Sequence, residues 1–296
     1  MSRLYCIDAS IYIFRAYFSM PDRWYNDAGY PLNAVYGYAR FLVNFIRETR
    51  PSYLMAAYDE SLGSGYRHTL YPDYKSNRVL PDESLAFQLA ACRELGERLG
   101  IRSYAGARFE ADDYIASGAR IAAAAGLPVT VVSRDKDLVQ AVRGEHDEWW
   151  DYAAGTRLSK AEWEASQQLR VEQIADWLAL MGDSIDAIPG VPGIGKKTAI
   201  ALLSRFESLD GIYAQLDNIH DSGIRGAARI RQALLEHREQ VYLARKLTVL
   251  HDRAIKARSA KPFSFSQRGE RLQDYLLEIG CGAAWSRKLL ADLERA

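Results

Sequence analysis

The sequence predicts an α/β protein: a central, mostly parallel sheet flanked by helices, with a second, helical region attached. Three observations predict it. Runs of near-continuous apolar character at residues 4–8, 52–59 and 128–133 have the length and composition of strands buried on both faces. Helical patterns at about 33–49, 83–99 and 110–125 alternate with them, as expected for a parallel sheet with helical crossovers. A Gly- and Pro-rich stretch at 182–195 then lies between two helical segments, and the chain reads as helical to about Leu250.

Composition sets the outer bounds. A chain of 296 residues with 48% hydrophobic content can bury one large core, or a core plus a smaller domain, so disorder is not expected. Cys6, Cys92 and Cys281 stand far apart without a C-x-x-C pair, which argues against a disulfide framework or a zinc site and fits a reducing cytoplasm. The apolar part of the N-terminus is too short for a signal peptide, and no segment approaches about 18 apolar residues, so no membrane association is expected. Lys plus Arg number 38 and Asp plus Glu 38, so any nucleic-acid surface must be local and balanced by acids elsewhere.

Each expected strand ends in acids. Residues 4–8 end at Asp8, 52–59 at Asp59, and 128–133 run into Asp135 and Asp137. Ligands of parallel sheets sit beyond the carboxyl ends of the strands, so the topology gathers these acids. Glu110, Asp112 and Asp113 open the following helix, where acids also serve as caps. Asp183 and Asp186 stand three apart, and a helical turn over 182–187 would put both on one side. Two carboxylates about 4 Å apart repel by roughly 4 kcal/mol at an effective dielectric near 20. Such a cluster therefore calls for cations. No His or Cys accompanies the acids, so magnesium or manganese is expected before zinc. A pair of such ions suits phosphodiester hydrolysis, one activating water and the other stabilising the leaving oxygen. The plainer alternative is a set of scattered, solvated acids.

Residues 63–81 interrupt the alternation. Arg67, Lys75 and Arg78 interleave there with Tyr66, Tyr71 and Tyr74, a composition suited to holding a single strand by stacking and charge, or to an ordinary surface loop. In the stretch 182–199, Gly190, Gly193 and Gly195 allow positive φ and close approach of another molecule. Lys196, Lys197 and Thr198 open the next helix, whose positive end favours phosphate. A plain turn is the alternative. Gly190 to Lys196 also fits G-x-x-x-x-G-K, but Lys197 stands where a P-loop needs a hydroxyl and the preceding residues read as helical.

These blocks together resemble the bacterial and phage 5′ nucleases, the 5′-nuclease domain of DNA polymerase I and stand-alone flap endonucleases. The resemblance runs from Ile7 to about Asp252. It rests on Ile7-Asp8-Ala9-Ser10 with Arg15-Ala16-Tyr17, Asn33-Ala34-Val35-Tyr36-Gly37, and Tyr66-Arg67-His68 through Tyr74-Lys75-Ser76-Asn77-Arg78. It continues with Glu110-Ala111-Asp112-Asp113, Asp135-Lys136-Asp137, and Gly182-Asp183 with Asp186 into residues 188–195. The resemblance implies a PIN-like 5′-nuclease fold with a helix-hairpin-helix region: a nuclease domain over 1–168 carrying a helical arch at about 63–98, the hairpin region over 169–252, and a C-terminal segment over 253–296 packed on the nuclease domain.

By the same resemblance, the nine acids bind two magnesium ions, with manganese able to substitute, and all nine positions are acidic here. Lys75 and Arg78 act on the scissile phosphate from the arch, and Tyr74 stacks near the 5′ end. Arg67 belongs to the same DNA-binding surface. The backbone at Gly190, Val191, Gly193, Ile194 and Gly195, with Lys196 and Lys197, grips the duplex around a potassium ion. The implied enzyme is a cytoplasmic, nucleoid-associated monomer. It removes 5′ flaps, and 5′ ends at nicks or gaps, from DNA or RNA/DNA hybrids during repair or primer removal, leaving 5′-phosphate and 3′-hydroxyl ends. No polymerase-like segment follows, so it would act alone or by recruitment.

Three departures stand out. Arg134 replaces the usual Gly before the Asp-Lys-Asp acids, Ala187 replaces the usual Asn after Asp186, and residues 60–66 lack a basic residue often found there. They leave open a catalytically silent structure-specific DNA-binding protein, and the architecture leaves open an RNA-directed nuclease.

Overall fold

The computed structural model describes residues 2–61, 63–268 and 271–295. Gly269 and Glu270, within the C-terminal segment expected over 253–296, lie outside the described residues. The chain divides into two compact units, one of residues 1–61, 80–157 and 251–296, the other of 62–79 and 158–250.

The strands are β1 (Leu4–Asp8), β2 (Tyr53–Ala57), β3 (Arg102–Tyr104), β4 (Val129–Val132), β5 (Glu148–Asp151) and β6 (Thr156–Ser159). They form one sheet in the order β3-β2-β1-β4-β5-β6. β1 pairs in parallel with β2, where Leu4 faces Tyr53 and Asp8 faces Ala57, and with β4, where Ile7 faces Val132. β2–β3 and β4–β5 are also parallel. The chain moves outward from β1 through β2 to β3, then returns to the other side of β1 with β4. The C-terminal end of β1 is therefore the topological switch point, where an open parallel sheet leaves a crevice. Asp8 occupies it.

Helices Asn33–Thr49, Glu83–Arg98 and Ala111–Ala124 match the sequence patterns. The Asp82 carboxylate caps the second by accepting from the Leu85 N–H at 2.8 Å. Arg50, in the left-handed region, ends the first. Ile7, Leu42, Phe45, Leu54, Leu95 and Leu99 form a core that also takes Leu272, Leu276 and Leu289 from the C-terminal helices Leu272–Glu278 and Ala283–Glu294. The Tyr275 hydroxyl donates to the Ala91 carbonyl at 3.0 Å, tying that segment to the helix Glu83–Arg98.

The second unit is helical: Tyr66–Leu70, Lys160–Gln167, Ile174–Met181, Lys196–Phe206, Leu209–Ala214, Ala227–Glu236 and Arg238–Thr248. Leu178, Leu203, Phe206, Leu209, Leu234 and Val241 are buried in it. Asp176, only 4% exposed, accepts from the Leu209 N–H and pairs with Arg245 at 2.8 Å each, joining three of these helices. No helix among the described residues is long and apolar enough to cross a membrane.

Candidate functional site

In the first unit, β1, β2 and β4 deliver Asp8, Asp59, Asp135 and Asp137 to one edge of the sheet. Three serines hold Asp8, Asp59 and Asp135. The Ser133 hydroxyl donates to Asp8 Oδ2 at 2.8 Å and accepts from the Asp135 N–H at 2.9 Å. The Ser10 hydroxyl accepts from the Asp59 N–H at 2.9 Å, and the Ser61 hydroxyl donates to Asp59 Oδ1. Asp137 N–H donates to Asp135 Oδ1 at 2.8 Å, and the Trp149 indole donates to the Asp135 carbonyl at 2.8 Å. Burial pushes the Asp8 carboxyl up to about 7, the charges of Asp135 and Asp59 add to that, and the Ser133 hydroxyl and Ile11 amide draw it back. Asp59 and Asp135 thus lie close enough for their charges to bear on Asp8.

Glu110 and Asp113 are buried at the start of the helix Ala111–Ala124, and Asp112 is half-buried. Asp113 Oδ2 accepts from the Glu110 N–H at 3.1 Å and Oδ1 from the His251 N–H at 2.8 Å, so this carboxylate caps its helix and fastens the returning C-terminal segment. Among the described residues, no three acid, imidazole or thiol side chains close on one point as a finished metal cage. The donor set nevertheless fits hard divalent cations. It is made of carboxylates alone, and the burial of Asp8 makes its charged form costly without a counterion.

Asp183 and Asp186 belong to the second unit. Residues 183–188 are not helical but form a turn closed by paired hydrogen bonds between Asp183 and Ile188, at 2.9 and 2.8 Å. The two carboxylates serve different partners. Asp183 Oδ1 accepts from the Ile185 N–H at 2.8 Å. Asp186 pairs with Arg78 at 2.5 Å and Lys75 at 3.8 Å, and accepts from the Tyr74 hydroxyl at 3.2 Å. The Lys75 N–H donates to the Asp186 carbonyl, and Asn77 to that of Ser184. The two cations expected to act on phosphate and one expected metal ligand are therefore mutual counterions here.

Two residues expected at a DNA surface are interior. Arg67 is 2% exposed, and its guanidinium donates to the carbonyls of Leu247 at 2.8 Å and Val249 at 3.3 Å, satisfying the end of the helix Arg238–Thr248. Tyr74 is 3% exposed, flanked edge-on by His68 and with the Lys75 ammonium over its ring. The stacking face expected of Tyr74 is not presented to solvent.

The hairpin separates into fold-making and outward-facing positions. Val191 and Ile194 are buried anchors that offer backbone only. A Cβ on Gly190 would lie 2.2 Å from the Met181 carbonyl oxygen, and one on Gly182 2.4 Å from the Gly190 nitrogen, so both glycines are demanded by close packing of backbone. Gly193 has φ +84° and Gly195 does not, yet neither Cβ would meet anything within 4 Å. Lys196 donates to Gln167 at 3.0 Å and lies over the Trp177 ring, while Lys197 is exposed.

Ser10 and Ser133, which orient the acids, are the functional residues the sequence reading missed. Ser10 stood within a block that carries the resemblance, and Ser133 closes the apolar run at 128–133.

Family models match along most of the chain: the 5′-3′ exonuclease N-terminal resolvase-like domain over residues 3–172, and the 5′-3′ exonuclease C-terminal SAM fold over 169–268. DNA polymerase I of Streptococcus pneumoniae R6 is 34% identical over 263 residues, covering 85% of this chain and 29% of the polymerase. That of Pseudomonas aeruginosa PAO1 is 35% identical over 248 residues, covering 83% and 27%. The chain thus spans less than a third of the length of these relatives. Among solved structures, T5 5′-exonuclease with bound divalent metal ions (zinc) superposes with a TM-score of 0.66 at 18% identity, over 98% of this chain and 99% of that one. The catalytic core of Rad2 in complex with DNA substrate superposes at 0.64 and 15% identity, over 99% and 92%. These likenesses establish a shared fold, and the family-model matches establish descent: this chain belongs to the 5′-3′ exonuclease family.

Proposed function

We propose that this chain is a divalent-metal-dependent 5′-3′ exonuclease and structure-specific 5′ flap endonuclease of DNA, using magnesium, with manganese able to substitute. The observation that carries the reading is the Ser133-tied meeting of Asp8 and Asp135 at the switch point of the sheet, in a chain of this family. Asp8, Asp59, Glu110, Asp112, Asp113, Asp135 and Asp137 would hold the ions, and the resemblance assigns Asp183 and Asp186 the same role. Held there, such ions would supply the activation of water and the stabilisation of the leaving oxygen. Ser133 and Ser10 fix the directions in which the acids face. Lys75 and Arg78 supply cations for charge developing on the phosphate, exchanging Asp186 for it. Gly193, Gly195 and Lys197 face outward at the hairpin and would meet the duplex backbone, with a potassium ion at its carbonyls, so that recognition follows shape and not sequence. The products would carry 5′-phosphate and 3′-hydroxyl ends. A cytoplasmic monomer acting in repair or primer removal, on DNA or RNA/DNA hybrids, completes the reading.

Cleavage of a 5′-labelled flap duplex in magnesium, then with chelator, tests this directly. A short labelled oligonucleotide released near the junction and lost on chelation is expected. Lys75→Ala should lower single-turnover cleavage about ten- to a hundred-fold while calcium-supported binding changes little. A duplex bound in magnesium and manganese yet never cut would replace the enzyme with a silent structure-specific binding protein.

A further inference from the structure

We propose that Arg134 is a nucleic-acid phosphate contact at the rim of the acid cluster, a positioning residue that admits a polyanion to carboxylates that would otherwise repel it. The inference rests on the function proposed above. Buried Ser133 bonds both Asp8 and the Asp135 N–H, and Asp135 is further held through Asp137 and Trp149. The backbone on either side of Arg134 is thereby fixed. Along this loop, Asp135 and Asp137 are half-buried, whereas Arg134 and Lys136 are exposed. Several arginines of the unit are engaged: Arg93 with Glu60 and Glu97, Arg98 with Glu94, Arg143 and Arg120 with Asp252, and Arg157 with Glu148. Arg134 makes no hydrogen bond or ion pair among the described residues. It presents the planar fork of donors that suits phosphate oxygens.

The charge balance gives the reason. Asp8, Asp59, Glu110, Asp112, Asp113, Asp135 and Asp137 outnumber the charges of two divalent ions, so the loaded cluster would still repel DNA. A guanidinium one residue from Asp135 offsets part of that residue. It stands where the resembling nucleases usually carry Gly, so Arg134→Gly removes the charge without asking the loop for a conformation foreign to them.

Binding of a fluorescent flap duplex in calcium, across roughly 50–200 mM salt, provides the test. Arg134→Gly should reduce the slope of log affinity against log salt by about one and weaken binding about three- to ten-fold, with Arg134→Lys keeping the slope. In magnesium, KM should rise with kcat near wild type. An unchanged slope overturns the proposal, including the case where manganese affinity measured without DNA changes instead, which would make Arg134 a modulator of the ions. Wild-type protein that binds no flap DNA overturns the functional reading as well. Wild-type protein that binds and cuts, with a slope indifferent to Arg134, overturns this inference alone.

Discussion

Ala187 has φ 55° and Lys75 φ 53°, left-handed conformations that a side chain bearing Cβ adopts at a cost of roughly 1–2 kcal/mol. Both flank Asp186, one following it in sequence and the other donating its N–H to the Asp186 carbonyl. The usual Asn at position 187 now has a physical reason, because Asn tolerates this region by hydrogen-bonding locally. Ala187→Asn should therefore stabilise the protein by about 0.5–1 kcal/mol, read as a higher urea midpoint at unchanged slope, and Ala187→Val should lower it. No gain from Asn would show that the turn relaxes at little cost. The same scale shows what a sequence hides. Arg67 and Tyr74 have the composition of a nucleic-acid surface, but their burial depends on residues more than a hundred positions away, Leu247 and Asp186. No local pattern carries that information.

Elements were legible where a local pattern sufficed. The apolar runs at β1, β2 and β4 and the amphipathic stripe of Asn33–Thr49 are written in neighbouring residues, and so is the placement of acids at strand ends. β3 was not, since Arg102–Tyr104 is three residues long and partly exposed. The helical turn over 182–187 that would have put Asp183 and Asp186 on one side does not form, because Gly182 and Gly190 bring their backbones together and close residues 183–188 as a bridge. The hairpin glycines, identical in the sequence, differ in what they do. Gly190→Ala should destabilise the second unit by about 1–3 kcal/mol through overpacking. Gly195, with φ −100° and open space, begins the helix Lys196–Phe206 without a side-chain cap. Gly195→Ser should leave thermal stability equal or slightly higher, yet weaken duplex binding in calcium, because the added side chain meets only an incoming backbone. Equal binding by this variant would remove Gly195 from the interface.

Across the whole chain, basic and acidic residues cancel, 38 against 38, so the seven acids of the first unit are a local concentration of charge set against a neutral background. A fold that holds carboxylates together for ions stores repulsion when the ions are withdrawn. Asp135→Asn isolates this effect, because the amide oxygen can still accept from the Asp137 N–H while the charge that bears on Asp8 is gone. In chelator, the variant should melt above wild type by about 2–4 °C, the shift that roughly 1 kcal/mol produces in a unit of this size. In magnesium the order should reverse. Wild type gains about 2.7 kcal/mol at a hundredfold excess of ion over its dissociation constant, and the variant, having lost a ligand, gains less. Calorimetry in the two buffers reads both signs without any need for turnover. A variant weaker than wild type in both would show that Asp135 serves the fold, and the metal assignment at the end of β4 would have to be withdrawn.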